Sequence, residues 1–286
     1  MKPRHSTFTD LTPLGLLSIQ GPDALKFLQG QLTCDVTEVT PLNTRLAAHC
    51  NPQGRIITLG RLIGFKDGYL FQMPKNHLPV AIKALKKYAV FFKVSLEDAS
   101  ENYQQIGYQG NLGAHEPDQA VSIHSLLAIK VSKHSRFILL GSFADLSLFR
   151  EENPASVISY EQWKQFDIQE HIPSIYPETS EKFLPHDLNL PQLKAVSFQK
   201  GCYTGQEIIA RMEYRGKPKN HLFCAQLQSV NPPIRGSDIF CENKAIGNLI
   251  DYIQLEYNTY ELLATGQILD KEKTLTINGE QIILNI

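Results

Sequence analysis

The sequence predicts a mixed α+β fold that ends in a small antiparallel β-barrel or sandwich. Two observations lead to this fold class. Up to residue 217, strand-like and helix-like runs alternate irregularly, which is typical of α+β proteins and not of a regular parallel α/β fold. Beyond Lys219, short apolar runs separated by turn residues indicate antiparallel strands. We therefore divide the chain into an α+β region at residues 1–217 and a β domain at residues 218–286.

The first predicted elements are a strand, a tight turn and a helix between residues 16 and 32. Pro22 suits the first position of this helix, where its missing N–H costs no hydrogen bond. Leu25, Leu28 and Leu32 then recur at a helical spacing, which places them on one apolar face.

A β-hairpin is predicted at residues 45–65. Its connection reads Asn-Pro-Gln-Gly at positions 51–54, with proline and glycine at the places that a type I turn favours. Three further elements follow, namely a strand at 69–73, a helix at 79–88 and a strand at 89–96.

The middle of the chain is less regular. A strand is predicted at residues 136–141, but prolines interrupt the stretch from 159 to 193 four times, so we predict an extended, irregular segment there. Such segments are often functional. Near the C-terminus, Asn278-Gly279 between apolar runs is a strong signal for a hairpin.

The stretch QKGCYTGQEIIARMEYRGK, residues 199–217, places one cysteine just before a predicted helix. Thr204 and Glu207 have the spacing of a capping box, so we predict the helix N-cap at Thr204. Glu207 and Arg211 are spaced as a well-oriented ion pair on this helix. Its apolar face is formed by Ile208, Ile209 and Met212.

Cys202 allows two interpretations. The partial positive charge at a helix N-terminus favours a thiolate, and Lys200 would add to this effect. Alternatively, Cys202 is a small buried apolar residue, as free cysteines often are. The five cysteines are scattered and form no C-x-x-C pair, which favours a reducing cytoplasm over a disulfide framework. The residues alone leave both interpretations of Cys202 open.

The same stretch resembles the signature of a known family. K-G-C-Y-x-G-Q-E, here residues 200–207, is similar to the motif of the YgfZ proteins. Blocks such as GPDALKFLQGQLTCDV, AAHCNPQGR and LKKYAVFFKV also resemble that family, in its order. The family comprises folate-binding relatives of the glycine-cleavage T-protein, linked to iron–sulfur enzyme maintenance and tRNA modification. The resemblance implies a T-protein-like fold, in which two interleaved ferredoxin-like α+β units surround a central folate cavity and a C-terminal antiparallel β-barrel packs against them.

The resemblance also implies roles for the motif. Cys202 is expected to be the reactive thiolate at the mouth of the cavity, with Lys200 and the helix N-terminus favouring its charged form. Arg211 is expected to bind an anion or to hold the loop. The remaining expected site residues are Tyr203 and Gln206, which would position the loop, and Glu207, through which Arg211 would act.

Four positions correspond to the family's folate site. Trp163 matches a tryptophan that lines the site, and an indole stacks well on a pterin. Leu14 stands where the family has a second tryptophan, and Gln169 stands where it has a pterin-binding glutamate, with Glu170 one place later. An amide offers a weaker acceptor than a carboxylate, so a modest folate affinity is expected. Asn189 lies in the segment that enters the cavity, and it suits either a pterin edge or a local turn.

The transferase chemistry of the T-protein needs a carboxylate beside the folate amine. In the matching stretch, no acidic residue occurs between Asp67 and Glu97. This absence argues against aminomethyl transfer. The family resemblance instead implies a protein that supports assembly or repair of iron–sulfur clusters in client enzymes, including tRNA-modifying enzymes, through Cys202. The alternatives are a folate-dependent aminomethyl or one-carbon transferase and a client-binding scaffold without a small-molecule ligand.

The expected ligand is tetrahydrofolate or a related folate, and no permanently bound metal is expected. The net charge of −1 provides no global attraction to nucleic acid or membrane, and no run is apolar enough to span a bilayer. We expect a cytoplasmic monomer whose partners are iron–sulfur client enzymes.

Two basic clusters are candidate anion sites, for RNA phosphates or a polyglutamate tail. We interpret the first cluster as a solvated helix face, and we expect only weak, salt-sensitive tRNA binding at the second. The first cluster is Lys75, Lys83, Lys86, Lys87 and Lys93, and the second is Arg211, Arg215, Lys217 and Lys219.

Overall fold

The computed structural model describes residues 6–114, 116–216, 220–267 and 274–284. Within these ranges no helix is long and apolar enough to cross a membrane. The helices are α1 (Ala24–Gln31), α2 (Leu78–Ala89), α3 (Phe143–Glu152), α4 (Tyr160–Gln169) and α5 (Gln206–Arg215). Short 3-10 turns lie at Val36–Glu38, Lys75–His77, Pro177–Thr179 and Pro185–Leu188.

Two α+β units and a barrel contain the strands. The first unit contains β2 to β6, the second contains β1 and β7 to β11, and the barrel contains β12 to β17. The strands are β1 (Thr7–Asp10), β2 (Leu14–Gln20), β3 (Arg45–Cys50), β4 (Ile56–Phe65), β5 (Gly68–Pro74), β6 (Ser95–Asp98), β7 (Gln104–Gln109), β8 (Ala120–Ile123), β9 (Leu126–Lys130), β10 (Arg136–Gly141), β11 (Ser156–Val157), β12 (His221–Gln228), β13 (Asp238–Cys241), β14 (Lys244–Glu256), β15 (Thr259–Gly266), β16 (Leu275–Ile277) and β17 (Glu280–Leu284).

The first unit is a five-stranded sheet in the order β3-β4-β5-β2-β6, with α1 and α2 contributing to its core. Pro22 precedes α1 and does not start it, because the helix begins at Ala24 after the N-cap Asp23. The predicted apolar face is also partly wrong. Leu28 is buried together with Phe27, whereas Leu25 is exposed.

The second unit is a six-stranded sheet in the order β11-β1-β7-β10-β9-β8. Its strands pair antiparallel except for β11, which runs parallel to β1. The N-terminal strand β1 thus belongs to a sheet whose other strands come after residue 103, while β2 begins the first unit. The two units are therefore interleaved along the chain.

The C-terminal strands close into a barrel in the order β12-β15-β14-β13-β16-β17. This resolves the choice between barrel and sandwich in favour of the barrel. The predicted Asn278-Gly279 turn joins β16 to β17, and both residues adopt positive φ angles, as a tight hairpin requires. The proposed boundary at 217/218 falls within residues 217–219, which lie outside the described ranges.

Two predicted elements differ from the structure. The strand expected at 89–96 is replaced by the shorter β6 at Ser95–Asp98, because α2 continues to Ala89 and residues 90–93 form a turn after it. The irregular segment expected from residue 159 begins with a complete helix, α4, which ends before the first proline, Pro173. A capping box between Ser159 and Gln162 starts this helix.

Candidate functional site

Helix α5 begins at Gln206, not after a threonine cap. Its N-cap is Gly205, which has a φ of 84° and provides no side-chain hydrogen bond. The predicted capping box is therefore wrong, since the Thr204 hydroxyl points to the Gln31 amide oxygen at 3.5 Å instead. The predicted end of the helix at Gly216 is correct.

Gly205 lies against the turn of the β3–β4 hairpin. A Cβ at Gly205 would come within 2.6 Å of the Asn51 carbonyl oxygen and 3.0 Å of the Gly54 Cα atom. Gly54 also has a positive φ, and a Cβ there would lie 3.1 Å from the Cβ of Ile208. The two glycines permit this close approach of backbones, which joins the motif loop to the hairpin turn.

Lys200 points into the protein and not toward solvent. Its ammonium donates to the carbonyl oxygens of Leu32 at 2.8 Å and Cys34 at 2.7 Å, and the residue is only 8% exposed. Burial lowers the pKa of Lys200 to about 8. This side chain ties the motif loop to the segment after α1, which is a role that the sequence did not predict. Its effect on the Cys202 thiol stays a prediction.

The other motif residues divide into one buried anchor and an exposed helix face. Tyr203 is buried, burial raises the pKa of its phenol, and its hydroxyl has no hydrogen-bond partner among the described residues. The backbone N–H of Gln206 donates to the Tyr203 carbonyl at 3.1 Å. Glu207 and Arg211 are both exposed, and no ion pair joins them among the described residues, so that predicted pair is absent.

Cys202 is the one exposed cysteine of the chain. All five cysteines are free thiols, and the other four are buried. Burial raises the pKa of Cys34 to about 12 and that of Cys224 to about 11, so both thiols stay protonated at neutral pH. Solvent-borne reagents and partners thus meet a single thiol, which lies between the buried side chains of Lys200 and Tyr203.

A cleft lies between the two α+β units. It has two neighbouring chambers, which share lining residues such as Leu46 and Arg61. We call the smaller chamber, of about 80 Å³, the inner chamber and the larger one, of about 510 Å³, the outer chamber. Ligand sites typically occupy roughly 300–1,000 Å³, so the outer chamber is large enough for a small organic ligand.

Trp163 and Leu14, two of the expected folate-site positions, line the inner chamber together. The indole is only 3% exposed, and the Arg136 guanidinium lies 4.9 Å from its ring centroid. The backbone of Gly107 also approaches the ring, since a Cβ there would lie 2.8 Å from it. Trp163 therefore presents little of its surface to the chamber.

Gln169 and Glu170 line the outer chamber at the end of α4. The Gln169 amide nitrogen donates to both carboxylate oxygens of Glu261 in the barrel, at 3.2 and 3.3 Å. One oxygen of Glu170 accepts from Arg136 at 3.1 Å. The barrel thus orients Gln169 so that its amide oxygen is the atom left to accept a further hydrogen bond.

Asn189 is not among the residues that line either chamber. It ends the 3-10 turn Pro185–Leu188 in a left-handed conformation with a φ of 52°, which favours the local-turn interpretation. Leu193 and Lys194 from the same segment line the outer chamber instead.

Cys202 is not among the lining residues of either chamber. Its loop contacts the turn of the hairpin, whereas the cleft is lined by Leu46 and Leu59 further along β3 and β4. The position of Cys202 at the mouth of the cavity stays a prediction.

Carboxylates do reach the cleft, from segments outside the stretch that matches the transferases. Asp167 lines the inner chamber, and Arg136 binds it at 3.0 Å. Asp118 lines the outer chamber and forms a buried ion pair with Arg61. Both acids are already bound to arginine.

Arg61 and Arg136 bind carboxylates of the cleft, a role that the sequence did not predict. The available signal was a charged residue within or beside an apolar strand, in ITLGRLIGF and SRFILLG. A buried charge needs a partner, so an arginine in such a run points to an ion pair or a ligand site. Among the described residues, no group of three or more His, Cys, Asp or Glu side chains is arranged to hold a metal ion.

Comparison with solved structures supports the expected fold. The chain superposes on the glycine cleavage system aminomethyltransferase T from Bartonella henselae with a TM-score of 0.73 at 14% identity. The match covers 99% of this chain and 85% of that one. The chain therefore has the T-protein fold.

Sequence comparison gives the family. No model of a protein family matches the sequence. A protein of Haemophilus influenzae described as uncharacterized is 33% identical over 98% of this chain and 96% of its own. The tRNA-modifying protein YgfZ of Colwellia psychrerythraea is 32% identical over 80% of this chain and 74% of its own, and that of Buchnera aphidicola is 34% identical over 85% and 82%. Identity at this level over most of both chains shows that the sequence belongs to the YgfZ family.

Proposed function

We propose that this protein supports the assembly or repair of iron–sulfur clusters in client enzymes, including enzymes of tRNA modification, through the thiol of Cys202. The observation that carries the proposal is the exposure of this one cysteine within the family motif, while the other four are buried. Thiolates are the usual ligands of iron–sulfur clusters and the usual nucleophiles in sulfur chemistry. The cluster is the cargo of the client and not a resident group of this chain.

The structure of the loop supports a reactive rather than a packing role. A packing cysteine is buried, as Cys34 and Cys224 are. Here the buried side chains of Lys200 and Tyr203 anchor the loop to the protein interior. Cys202, which lies between them in the sequence, is exposed to solvent. This arrangement presents the sulfur to a partner at little entropic cost, since the backbone is already fixed.

We further propose that the cleft binds a tetrahydrofolate-type ligand. The outer chamber has a suitable volume, and its wall offers acceptors for pterin N–H groups at the Gln169 amide oxygen and the Glu170 carboxylate. Lys133 and Lys194 line the same chamber at exposed positions and suit the carboxylates of a glutamate tail. Because the Gln169 nitrogen is already bound to Glu261, its oxygen can face the ligand without a competing orientation.

The transferase alternative is less well supported. Its carboxylate would have to accept a proton from the folate amine, but three of the four carboxylates that line the cleft are engaged by Arg61 and Arg136, namely Asp118, Asp167 and Glu170. The fourth, Glu116, lines the outer chamber at an exposed position. A carboxylate whose oxygen is already hydrogen-bonded to a guanidinium is not free to bind the folate amine. The scaffold alternative predicts that no small molecule binds at all.

The test of the thiol is Cys202→Ser, with Cys241→Ser in the barrel as the matched control. We expect Cys202→Ser to keep its melting temperature and to lose support of iron–sulfur enzymes in cells lacking the endogenous protein. Cys241→Ser should keep that support, apart from a cost in stability for a buried hydroxyl. Full complementation by Cys202→Ser contradicts the proposal.

The test of the ligand is a titration with tetrahydrofolate followed by fluorescence. The chain contains a single tryptophan, so any change in indole emission reports Trp163 in the inner chamber. We expect a saturable change with modest affinity, and a weaker one in Glu170→Gln. No change in fluorescence and no heat in calorimetry at millimolar folate would favour the scaffold alternative.

A further inference from the structure

The exposed end of α2 carries two large apolar side chains at its tip. Val90 is 75% exposed and Phe91 is 81% exposed. The turn that presents them is well fixed, because Phe92 packs on Phe27 with ring centroids 5.4 Å apart. The backbone N–H of Lys93 also donates to the Asp23 carboxylate at 2.8 Å. Phe91 is thus held outward by its neighbours.

Lysines surround this tip. Lys83, Lys86 and Lys87 are exposed and precede Val90 at helical spacing, so they share the solvent face of α2. Lys93 is exposed just beyond Phe91. No acidic residue forms an ion pair with any of these four lysines in the described parts of the chain. We call the six residues the α2 tip surface, namely Lys83, Lys86, Lys87, Val90, Phe91 and Lys93.

The sequence alone suggested a plain solvated helix face for these lysines. Separately, the sequence predicted a strand over the apolar run that follows the helix. The structure shows a turn there, with Phe92 turned inward and Phe91 outward. A surface with an exposed aromatic ring among lysines that form no ion pair differs from a purely charged, solvated helix face.

The chemistry of the α2 tip surface favours a polyanion with unstacked aromatic groups. Lysine is depleted at protein–protein interfaces, which makes a protein partner a poor fit. A membrane would gain only two apolar side chains, because the apolar face of α2, with Ala81 and Leu85, is buried in the core. Single-stranded RNA fits both features, since its phosphates bind lysines and its bases stack on aromatic rings.

We propose that the α2 tip surface binds an unpaired loop of RNA, with one base stacked on Phe91 and the phosphates on either side bound by the lysines. This surface is distinct from the cleft and from the Cys202 loop, and it differs from the cluster beginning at Arg211, where the sequence placed weak tRNA contact. Lys217 and Lys219 of that cluster lie outside the described residues. The lysines supply salt-sensitive attraction, and Phe91 supplies the preference for unpaired bases.

The test uses the purified full chain and a fluorescent RNA stem–loop, followed by anisotropy over a range of salt concentrations. The same stem without a loop and vesicles containing phosphatidylglycerol serve as competing probes. Phe91→Ser should weaken stem–loop binding about 10-fold, since one stacked base contributes roughly 5-fold to 150-fold. Phe91→Trp, which keeps an aromatic face, should retain binding.

The lysines are tested by replacing Lys86 and Lys87 with glutamine together. The slope of log K against log salt should fall by about 1.4, or about 0.7 for each phosphate contact on a single strand. Phe143→Ser and Lys244→Gln, at exposed positions on α3 and in the barrel, are matched controls that should change neither quantity.

Equal binding of the stem–loop and the plain stem, with no effect of Phe91→Ser, overturns the proposal. Vesicle binding that depends on Phe91, without RNA binding, overturns it in favour of a membrane. These measurements do not involve Cys202. If Cys202→Ser abolishes support of iron–sulfur enzymes while the stem–loop does not bind, the proposed function stands and this inference alone fails.

Discussion

Replacing Gly205 by alanine tests the contact between the motif loop and the hairpin. The chain offers a matched control, because Gly113 has the same φ of 84° but no atom within 4 Å of an added Cβ. At both positions alanine must adopt a left-handed conformation, which costs about 1–2 kcal/mol and is partly offset by the loss of about 0.4–1 kcal/mol of unfolded-state freedom. For Gly113→Ala we therefore expect a destabilisation of about 1 kcal/mol.

Gly205→Ala adds a steric cost that the control lacks. The new Cβ would lie 2.6 Å from the Asn51 oxygen, so the backbones must separate by about 0.8 Å to reach the 3.4 Å of ordinary contact. Overpacking of this kind costs about 1–3 kcal/mol. We expect a total loss of about 2–4 kcal/mol, and weaker support of iron–sulfur enzymes because the loop that presents Cys202 is displaced.

Urea unfolding of both variants measures these losses. The unfolding free energies of the two variants should differ by at least about 1 kcal/mol. The slope of unfolding free energy against urea concentration should be the same in both. Equal losses in the two variants would refute the close approach of Gly205 to the hairpin turn, and with it the physical account of the second glycine in the motif.

Three further variants probe buried polar groups. Lys200→Met should cost about 2 kcal/mol in unfolding free energy. Two buried carbonyls lose their hydrogen-bond donor, and removal of the desolvated ammonium offsets part of that loss. The pH dependence of Cys202 alkylation should stay the same. Burial lowers the pKa of His49 to about 4, so the unfolded chain binds a proton first and stability falls from about pH 6.5 to pH 4, by about 3 kcal/mol. His49→Phe should remove this fall, as measured by thermal unfolding against pH. Asp251→Asn should cost about 3–5 kcal/mol in urea unfolding, because the buried Lys164 loses the carboxylate at 3.0 Å and keeps only the more distant Asp167 at 3.8 Å.

Each of these expectations has a result that contradicts it. An upward shift in the pH midpoint of Cys202 alkylation in Lys200→Met would show that the lysine acts on the thiol by charge. A His49→Phe protein that remains as acid-sensitive as the parent would place the sensitivity elsewhere. Asp251→Asn with unchanged stability would mean that solvent reaches Lys164 and replaces the carboxylate.

Short-range signals in the sequence predicted much of the fold. The turn at Asn51–Gly54, the helix α2 and the Asn278-Gly279 hairpin all depend on residues within a few positions of one another. Helix α4 carried such a signal in its Ser159–Gln162 capping box, and the prolines further along obscured it. The helix is complete because Pro173 lies beyond its end.

The sites were harder to predict because they depend on distant contacts. Thr204 has the spacing of a cap, but Gly205 takes the cap position because its backbone must pass within reach of Asn51. Lys200 looked like a charge beside Cys202, whereas its partners are carbonyls more than 160 residues earlier. Nothing in the local sequence of Lys200 specifies that direction.

The position of β1 has a consequence for synthesis of the chain. This strand is synthesised before its antiparallel partner β7, which begins at Gln104, nearly 100 residues later. At 5–20 residues per second, β1 waits about 5–20 s for that partner, while β2 to β6 can complete their own sheet. A nascent or truncated chain therefore exposes an unpaired strand beside a finished unit, and chaperones that shield strand edges would act on this protein during that interval.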